Sequence, residues 1–114
     1  MRVIIAGSRS IKNMALVKRC IKASGFKIDC VVCGCTDGVD LYGKRWAIEN
    51  HKKVALYPAL WTEQGTSAGP IRNQKMSANA DALIAIWDGK SRGTLDMIQR
   101  AVNSHLKLFV FTQS

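Results

Sequence analysis

The 114-residue sequence has no apolar run that could cross a bilayer, which takes roughly 18 or more consecutive apolar residues. The apolar stretch after Met1 and Arg2 is too short for the hydrophobic region of a signal peptide. With 47% hydrophobic and 22% charged residues, the composition is that of a folded protein and not of a disordered one. We therefore expect one cytoplasmic domain over residues 1–114 and no contact with a membrane.

Acidic residues are scarce, since 8 Asp and Glu stand against 17 Lys and Arg, and the formal net charge is +9. Such an excess favours polyanionic partners, either nucleic acid or phosphorylated small molecules. The basic residues are scattered in pairs such as Lys18-Arg19 and Lys44-Arg45 and form no dense tract. Solvated helix faces explain many of them, so charge alone does not decide between these ligands.

The four cysteines do not complete a metal site. A tetrahedral zinc site needs four ligands, and neither a second cysteine pair nor a nearby His joins Cys30, Cys33 and Cys35. Cys30 and Cys33 also lie in a β-branched apolar run, where cysteine packs as a small hydrophobe. We expect reduced thiols that pack in the core, and we predict no metal and no cofactor.

Short apolar runs alternate with helical patterns along the whole chain. This alternation predicts a Rossmann-like three-layer α/β/α fold, with a five-stranded parallel sheet of order 3-2-1-4-5. The predicted strands are 3–6, 28–33, 54–57, 82–87 and 108–111. The first predicted helix runs from Ser10 or Asn13 to about Ser24, with Gly25 as the stop, and the second ends at about Asn50, with Leu41, Trp46 and Ile48 as apolar positions. The third starts at Gly69-Pro70, and the fourth covers about 93–104. Residues 58–68 are left as the one long loop.

Ligands of such sheets bind outside the carboxyl ends of the strands, where the strand order reverses. The expected order places this crevice between the first and fourth strands. The loops after the first, second and fourth strands should converge there, together with the start of the third helix. The chemically unusual residues of the sequence lie in these same four segments.

The first segment is Gly7-Ser8-Arg9. Gly7 allows a close approach of the backbone, Ser8 can donate to an oxygen, and Arg9 supplies a permanent positive charge. The segment lacks the G-x-G-x-x-G fingerprint, which argues against NAD-type dehydrogenase chemistry. A plain turn with an exposed arginine would have the same sequence.

The second segment follows the second strand and contains Gly34, Asp37, Gly38 and Asp40. Its glycines permit a backbone nest for an anion, and its carboxylates could bind ribose hydroxyls. Both carboxylates also suit the start of a helix. The cap interpretation is favoured for Asp37, whereas a functional or loop-bracing role is favoured for Asp40.

The third segment, Gly69-Pro70-Ile71-Arg72-Asn73, is predicted to start a helix. An arginine in a first turn opposes the helix dipole by roughly 0.3–1 kcal/mol, which is easier to explain if an anion shares the site. Arg72 and Asn73 are therefore candidate ligand-binding residues. A structural salt bridge is the alternative.

The fourth segment runs from Asp81 to Ile98 and reads as a buried strand, a tight loop and a helix start. The backbone N–H groups that open the helix predict a phosphate site. Its candidate ligand-binding residues are Trp87, Asp88, Arg92, Gly93 and Thr94. A nucleoside would add base stacking, for which Trp87, Trp61 and Tyr57 are candidates, whereas Trp46 is expected in the core.

Together, these four segments resemble the SLOG superfamily, and most closely its short YspA-like branch from bacteria and phages. The resemblance covers nearly the whole chain. Relatives include the Lonely guy phosphoribohydrolases, the DNA-processing protein family and sensor domains for NAD-derived signals. The resemblance implies binding of a nucleotide or ADP-ribose-derived molecule. The protein would then sequester or sense a nucleotide signal, cyclic or not, for instance as a phage sponge against host defence.

One departure from the family concerns catalysis. Lonely guy enzymes carry a catalytic Glu where this sequence has Met97, and Asp96 should point about 100° away on the helix. This favours a binding protein over an enzyme. An N-glycosidase acting on nucleoside monophosphates is the first alternative, and a binder of single-stranded nucleic acid is the second. We also expect a homo-oligomer, because small domains of this type often dimerise.

Overall fold

The computed structural model describes residues 1–113, and Ser114, the last residue of the expected domain, lies outside the described residues. Five parallel strands form one sheet of order β3-β2-β1-β4-β5, which confirms the predicted fold and strand order. The strands are β1 (Arg2–Gly7), β2 (Cys30–Cys33), β3 (Lys53–Leu56), β4 (Ala82–Trp87) and β5 (Lys107–Thr112). The helices are α1 (Met14–Ser24), α2 (Val39–Glu49), α3 (Trp61–Gln64), α4 (Ala68–Ala78) and α5 (Arg92–Asn103), with a 3-10 turn (Gly65–Ser67) between α3 and α4.

The neighbouring strands β1, from Val3 onwards, and β4 consist of apolar residues and glycine because helices cover both faces of the sheet. Val3 and Ile5 pack in the core on the side of α1 and α2. Ile4 and Ala6 pack on the opposite side, against α4 and α5. Alternate residues of one strand thus fill two separate cores, and the carboxyl ends of β1 and β4 are held side by side.

The first helix begins and ends at residues that the sequence indicates. The Asn13 side chain accepts a hydrogen bond from the Leu16 N–H at 3.0 Å, so Asn13 and not Ser10 is the N-cap. Gly25 ends the helix in the left-handed conformation, with φ of 69°.

The apolar face predicted for α2 is partly wrong, because Leu41 and Ile48 are exposed. The helix packs on the sheet through its smallest residues, Gly43 and Ala47. A Cβ atom on Gly43 would lie 2.7 Å from Cγ2 of Ile5, so this helix lies too close to β1 for a larger side chain. Close approach, rather than side-chain size, determines which face of α2 is buried.

The long loop predicted over 58–68 is also partly wrong, because α3 and the 3-10 turn occupy most of it. These short elements lead directly into α4, which therefore begins at Ala68 and not at Gly69-Pro70.

No helix within residues 1–113 combines the length and apolar character needed to span a membrane. Cys20, Cys30 and Cys33 are buried, Cys35 is half-buried, and all four thiols are free.

Candidate functional site

A cavity of about 420 Å³ opens at the carboxyl edge of the sheet. The end of β1, the β2–α2 loop, α3, α4 and α5 all contribute to its lining. Ten of the sixteen predicted site residues border it, namely Gly7, Arg9, Asp40, Gly69, Pro70, Arg72, Asn73, Arg92, Gly93 and Thr94. Ala6, Thr36, Trp61, Met76, Ser91, Asp96 and Met97 complete the lining.

Gly7 forms the innermost wall of the cavity, where β1 ends. A Cβ atom there would lie 2.2 Å from the backbone oxygen of Ile86 and 2.7 Å from Cγ2 of Val39. Neither neighbour can move easily, since one is backbone and the other is fully buried. Gly7 therefore allows β4 and α2 to approach the end of β1.

Asp40 lies beneath the cavity and is almost fully used by intramolecular hydrogen bonds. Its Oδ1 accepts from the Gly7 N–H at 3.3 Å, and its Oδ2 accepts from the Thr36 hydroxyl at 2.6 Å and the Thr36 N–H at 3.4 Å. Only 4% of the residue is exposed. Burial raises the pKa of this carboxyl, against the lowering effects of the Thr36 hydrogen bond and the Arg72 charge. Asp40 thus braces the loop, which is one of the two roles that the sequence left open for it.

Arg72 joins α4 to the end of β2. Its guanidinium donates to the backbone oxygen of Gly34 and, through Nε, to Oδ1 of Asn73 at 2.9 Å. Arg72 is the fifth residue of α4 and not part of its first turn, so the argument from the helix dipole was wrong. The earlier start places the arginine one or two residues further from the N-terminal end of the helix than predicted, near the buried Asp40 carboxyl.

Asn73 connects the two helices that border the cavity. Its Nδ2 donates to the backbone oxygen of Gly93 at 3.3 Å and to Oδ2 of Asp96 at 2.9 Å. The residue is buried, with 4% of its surface exposed. Asn73 therefore fixes the start of α5 relative to α4.

The start of α5 is an exposed part of the lining. The Ser91 hydroxyl caps the helix by accepting from the Thr94 N–H at 3.4 Å. Arg92 and Gly93 are exposed, and the first N–H groups of a helix have no acceptor within it. No acidic residue lies in this first turn. The helix start and the Arg92 guanidinium together make a positive region at the cavity mouth.

Trp61 is the one aromatic stacking candidate that borders the cavity. It is 50% exposed, and a Cβ atom on Gly69 would lie 3.4 Å from its ring. Trp87 instead donates its indole N–H to the backbone oxygen of Ser91 at 2.9 Å, and Tyr57 packs against the core. Met76 and Met97 are buried in the lining and make part of it apolar.

Six predicted site residues do not border the cavity: Ser8, Gly34, Asp37, Gly38, Trp87 and Asp88. Gly38, with φ of 81°, is the N-cap of α2 and no side chain caps this helix, so the predicted cap at Asp37 is wrong. Gly34 lies behind the lining, where a Cβ atom would be 2.7 Å from Nη1 of Arg72 and 2.8 Å from Oδ2 of Asp40.

Ser8 and Asp88 hold the loop between β4 and α5. The Ser8 hydroxyl accepts from the Asp88 N–H at 3.0 Å, and Oδ1 of Asp88 accepts from the N–H groups of Lys90 and Ser91, each at 2.8 Å. The backbone hydrogen bonds from Ser91 and Lys90 lower the pKa of Asp88 to about 2. These two side chains support the loop from outside the cavity.

Sequence reasoning missed Asp96 as a lining residue. Asp96 was expected to point about 100° away from Met97 on the helix, but both residues border the cavity, because Asn73 of α4 packs against this part of α5. A signal was available in the spacing, because Asp96 lies four residues after Arg92 and so on the same face of the helix. Within residues 1–113, no three His, Cys, Asp or Glu side chains are grouped so as to hold a metal ion.

The fold and the cavity define a Rossmann-like α/β protein with a small-molecule-sized site at the carboxyl edge of its sheet. Among solved structures, the chain is similar to the X-ray structure of DNA processing protein A (DprA) from Streptococcus pneumoniae, with a TM-score of 0.79 and 18% sequence identity. The alignment covers 99% of this chain and 50% of that one, so this chain spans half the length of the neighbour.

At 18% identity, this likeness shows the fold alone. No family model and no curated protein matches the sequence. DNA-processing proteins are among the relatives that the SLOG resemblance implies, and this solved structure supports the expected fold, whereas membership of the superfamily stays a prediction. The YspA-like branch has no support in these comparisons and stays a prediction.

Proposed function

We propose that the cavity binds a nucleotide or an ADP-ribose-derived small molecule. The observation that carries this proposal is the open start of α5, where exposed Arg92 and Gly93 meet the cavity without an acidic neighbour in the first turn. Arg9, which is exposed and also borders the cavity, adds a second positive charge. Phosphate is the ligand group that such an arrangement favours.

A phosphate alone is too small to account for this site. Charged hydrogen bonds contribute about 1.5–3 kcal/mol each, and micromolar affinity requires roughly 8 kcal/mol. The lining also offers apolar surface from Met76 and Met97 and an exposed ring at Trp61. The volume of about 420 Å³ is within the usual range of small-molecule sites. A base and a sugar would occupy this additional space.

Binding itself is the activity that we propose, so that the protein sequesters or senses a nucleotide signal. The lining contains Met97 where the resembling hydrolases have their catalytic Glu. A thioether can neither activate water nor stabilise a developing positive charge as a carboxylate does. The proposal that a phage uses this protein to sequester a nucleotide signal of the host defence rests on the family resemblance.

The direct test is to heat-denature the purified protein and identify any released nucleotide by mass spectrometry. AMP, NAD, ADP-ribose and cyclic dinucleotides would then be screened for their effect on the melting temperature. We expect at least one to raise it. If no nucleotide co-purifies and none shifts the melting temperature, the proposal is wrong.

Arg92→Ala sharpens this test, because it removes an exposed charge that no described fold contact requires. We expect the affinity for the nucleotide identified in the screen to fall roughly 10- to 100-fold with unchanged stability. Arg19→Ala is the matched control, since Arg19 is an exposed arginine on α1 outside the lining. Equal effects of the two variants would mean that only net charge matters.

Binding of single-stranded nucleic acid is a second candidate, favoured by the net charge of +9 and by the likeness to a DNA processing protein. Oligonucleotide binding through many phosphates would weaken steeply as salt rises. A pocket ligand with few ionic contacts would show a shallow dependence. Titration of an oligonucleotide and a nucleotide at several salt concentrations separates the two.

One observation favours the N-glycosidase alternative. Asp96 borders the cavity and could take the place of the catalytic Glu, whose position is occupied by Met97. Incubation with AMP and chromatography for free adenine tests it. Intact AMP after long incubation would eliminate this activity.

The homo-oligomer stays a prediction. Exposed apolar side chains gather on β5, where Leu108, Val110 and Phe111 lie on the edge strand of the sheet. Sedimentation of the purified protein would show whether copies associate.

A further inference from the structure

Two carboxylates border the cavity, but only one of them is available to a ligand. Asp40 accepts hydrogen bonds on both of its oxygens and is 4% exposed. Asp96 accepts its two hydrogen bonds on a single oxygen, Oδ2. The side chain of Asp96 is 29% exposed, and no hydrogen bond to its Oδ1 is found within residues 1–113.

The Asp96 carboxylate is also held rigidly. Nδ2 of Asn73 donates to Oδ2 from α4, and Nε of Arg100 donates to the same oxygen from the next turn of α5, each at 2.9 Å. Because the two donors lie on different helices, they fix both the position and the rotation of the carboxyl group. A group that is fixed before binding loses little conformational entropy when a ligand arrives.

The position of Asp96 relative to the proposed phosphate site suggests what it binds. Arg92 and Asp96 are four residues apart on α5, so they share one face of the helix. Asp96 lies four residues further along the helix, a rise of about 6 Å, and next to the buried Met97. A ligand with its phosphate at the helix start would therefore bring its sugar to this carboxylate. Asp96 repels a second phosphate and accepts from a hydroxyl.

We propose that Oδ1 of Asp96 accepts a hydrogen bond from a ribose hydroxyl of the bound nucleotide, and that Asp96 thereby selects ligands with an intact vicinal diol. This inference rests on the proposed nucleotide binding and goes beyond it by naming the residue that distinguishes the sugar. It also moves the ribose contact from Asp40, where the sequence placed it, to α5.

The test compares AMP with 2′,3′-dideoxyadenosine monophosphate, which lacks both hydroxyls, by isothermal titration calorimetry. We expect the wild-type protein to bind AMP more tightly. Asp96→Asn should weaken AMP binding roughly 10- to 100-fold, because it replaces a charged acceptor, and should leave the dideoxy nucleotide unchanged. Asp96→Ala should do the same, which covers the case in which Asn donates to the ligand instead.

Glu49→Gln is the matched control. Glu49 also forms an ion pair with the arginine four residues away, Arg45, at 3.1 Å, but it lies on α2 outside the lining. It should change neither affinity. Thermal melting of each variant checks that the fold is intact.

The outcomes separate this inference from the proposed function. If both Asp96 variants change the affinities for the two nucleotides equally, in either direction, Asp96 acts only through its charge and the inference is wrong. If neither probe is affected, it is wrong as well, whereas nucleotide binding stands. If the wild-type protein binds neither probe, this ribose contact is excluded, and the proposed function then depends on the wider nucleotide screen.

Discussion

The β2–α2 loop and the start of α5 border the same cavity, but their polar groups are used differently. In the loop, the Thr36 hydroxyl and N–H donate to Asp40, and the Gly34 carbonyl accepts from Arg72. At the start of α5, Arg92 and Gly93 are exposed, and only the Thr94 N–H is capped. The polar groups of the loop are bonded to other parts of the protein, whereas those at the start of α5 are accessible to a ligand.

This difference shows why residue type alone is a poor guide to a binding site. Aspartate and glycine occur in both regions, but the polar atoms of the loop are bonded to β1, α2 and α4 and hold these elements together. We infer that substitutions in the loop change stability first, whereas substitutions at the start of α5 change ligand binding first. Three further predictions test this division.

Asp40→Ala should produce the largest loss of stability. It leaves the Gly7 and Thr36 donors without their acceptor. We expect the free energy of unfolding to fall by about 3 kcal/mol, because buried hydrogen-bond donors are left unsatisfied. Urea unfolding followed by circular dichroism measures it.

Asp40→Asn is the control for this prediction, because it keeps the volume and one acceptor. It should cost less stability than Asp40→Ala. Since burial raises the pKa of Asp40, the ionised carboxyl is disfavoured in the folded protein. The contribution of Asp40 to stability therefore declines as pH rises through its folded pKa. A fully stable Asp40→Ala protein with impaired nucleotide binding would place Asp40 among the ligand contacts and contradict the division.

Two glycines of the predicted site provide the second test. Gly7→Ala brings a Cβ atom to 2.2 Å from the Ile86 oxygen, and we expect a loss of about 1–3 kcal/mol from overpacking. Gly93→Ala meets nothing within 4 Å, so stability should stay the same or rise by up to about 1 kcal/mol.

Thermal and urea unfolding of the two variants measure this contrast, and nucleotide titration completes it. Gly93→Ala should retain its fold. Its added methyl group lies at the helix start, where the ligand phosphate is proposed to bind, so we expect a lower nucleotide affinity. Similar stability of Gly7→Ala and Gly93→Ala would mean that the wall of the cavity is not a rigid part of the structure.

The sheet order could be predicted from the sequence because it depends on a pattern repeated along the chain. Five apolar runs alternating with helical segments leave few topologies once crossovers are right-handed. The buried face of α2 could not be predicted in the same way. It depends on the close approach of Gly43 to Ile5, which is a contact between residues far apart in sequence.

The candidate site was predicted at the level of segments rather than of side chains. The four segments do meet at one cavity, because the carboxyl ends of parallel strands lie at one edge. Which polar atoms remain free depends on hydrogen bonds across segments, such as that from Asn73 to Asp96. For this reason Asp96 was overlooked, and Trp87 was considered for stacking although its indole is bonded to Ser91.

Asp88 offers the smallest and most selective test, because it was predicted as a ligand contact and the structure makes it a loop support. Hydrogen bonds from the Ser91 and Lys90 N–H groups lower its pKa to about 2, below its ordinary value of about 3.8. A lowered folded pKa means that the contribution of Asp88 to stability is present above pH of about 4 and declines as pH falls towards about 2.

Asp88→Asn should therefore reduce the melting temperature slightly at neutral pH, and the difference from the wild-type protein should shrink as the pH is lowered through this window. Nucleotide affinity at neutral pH should not change, since Asp88 lies outside the cavity lining. A loss of affinity as large as that expected for Arg92→Ala would transfer Asp88 to the ligand-binding region. The boundary between the two regions would then lie within the β4–α5 loop and not at its junction with α5.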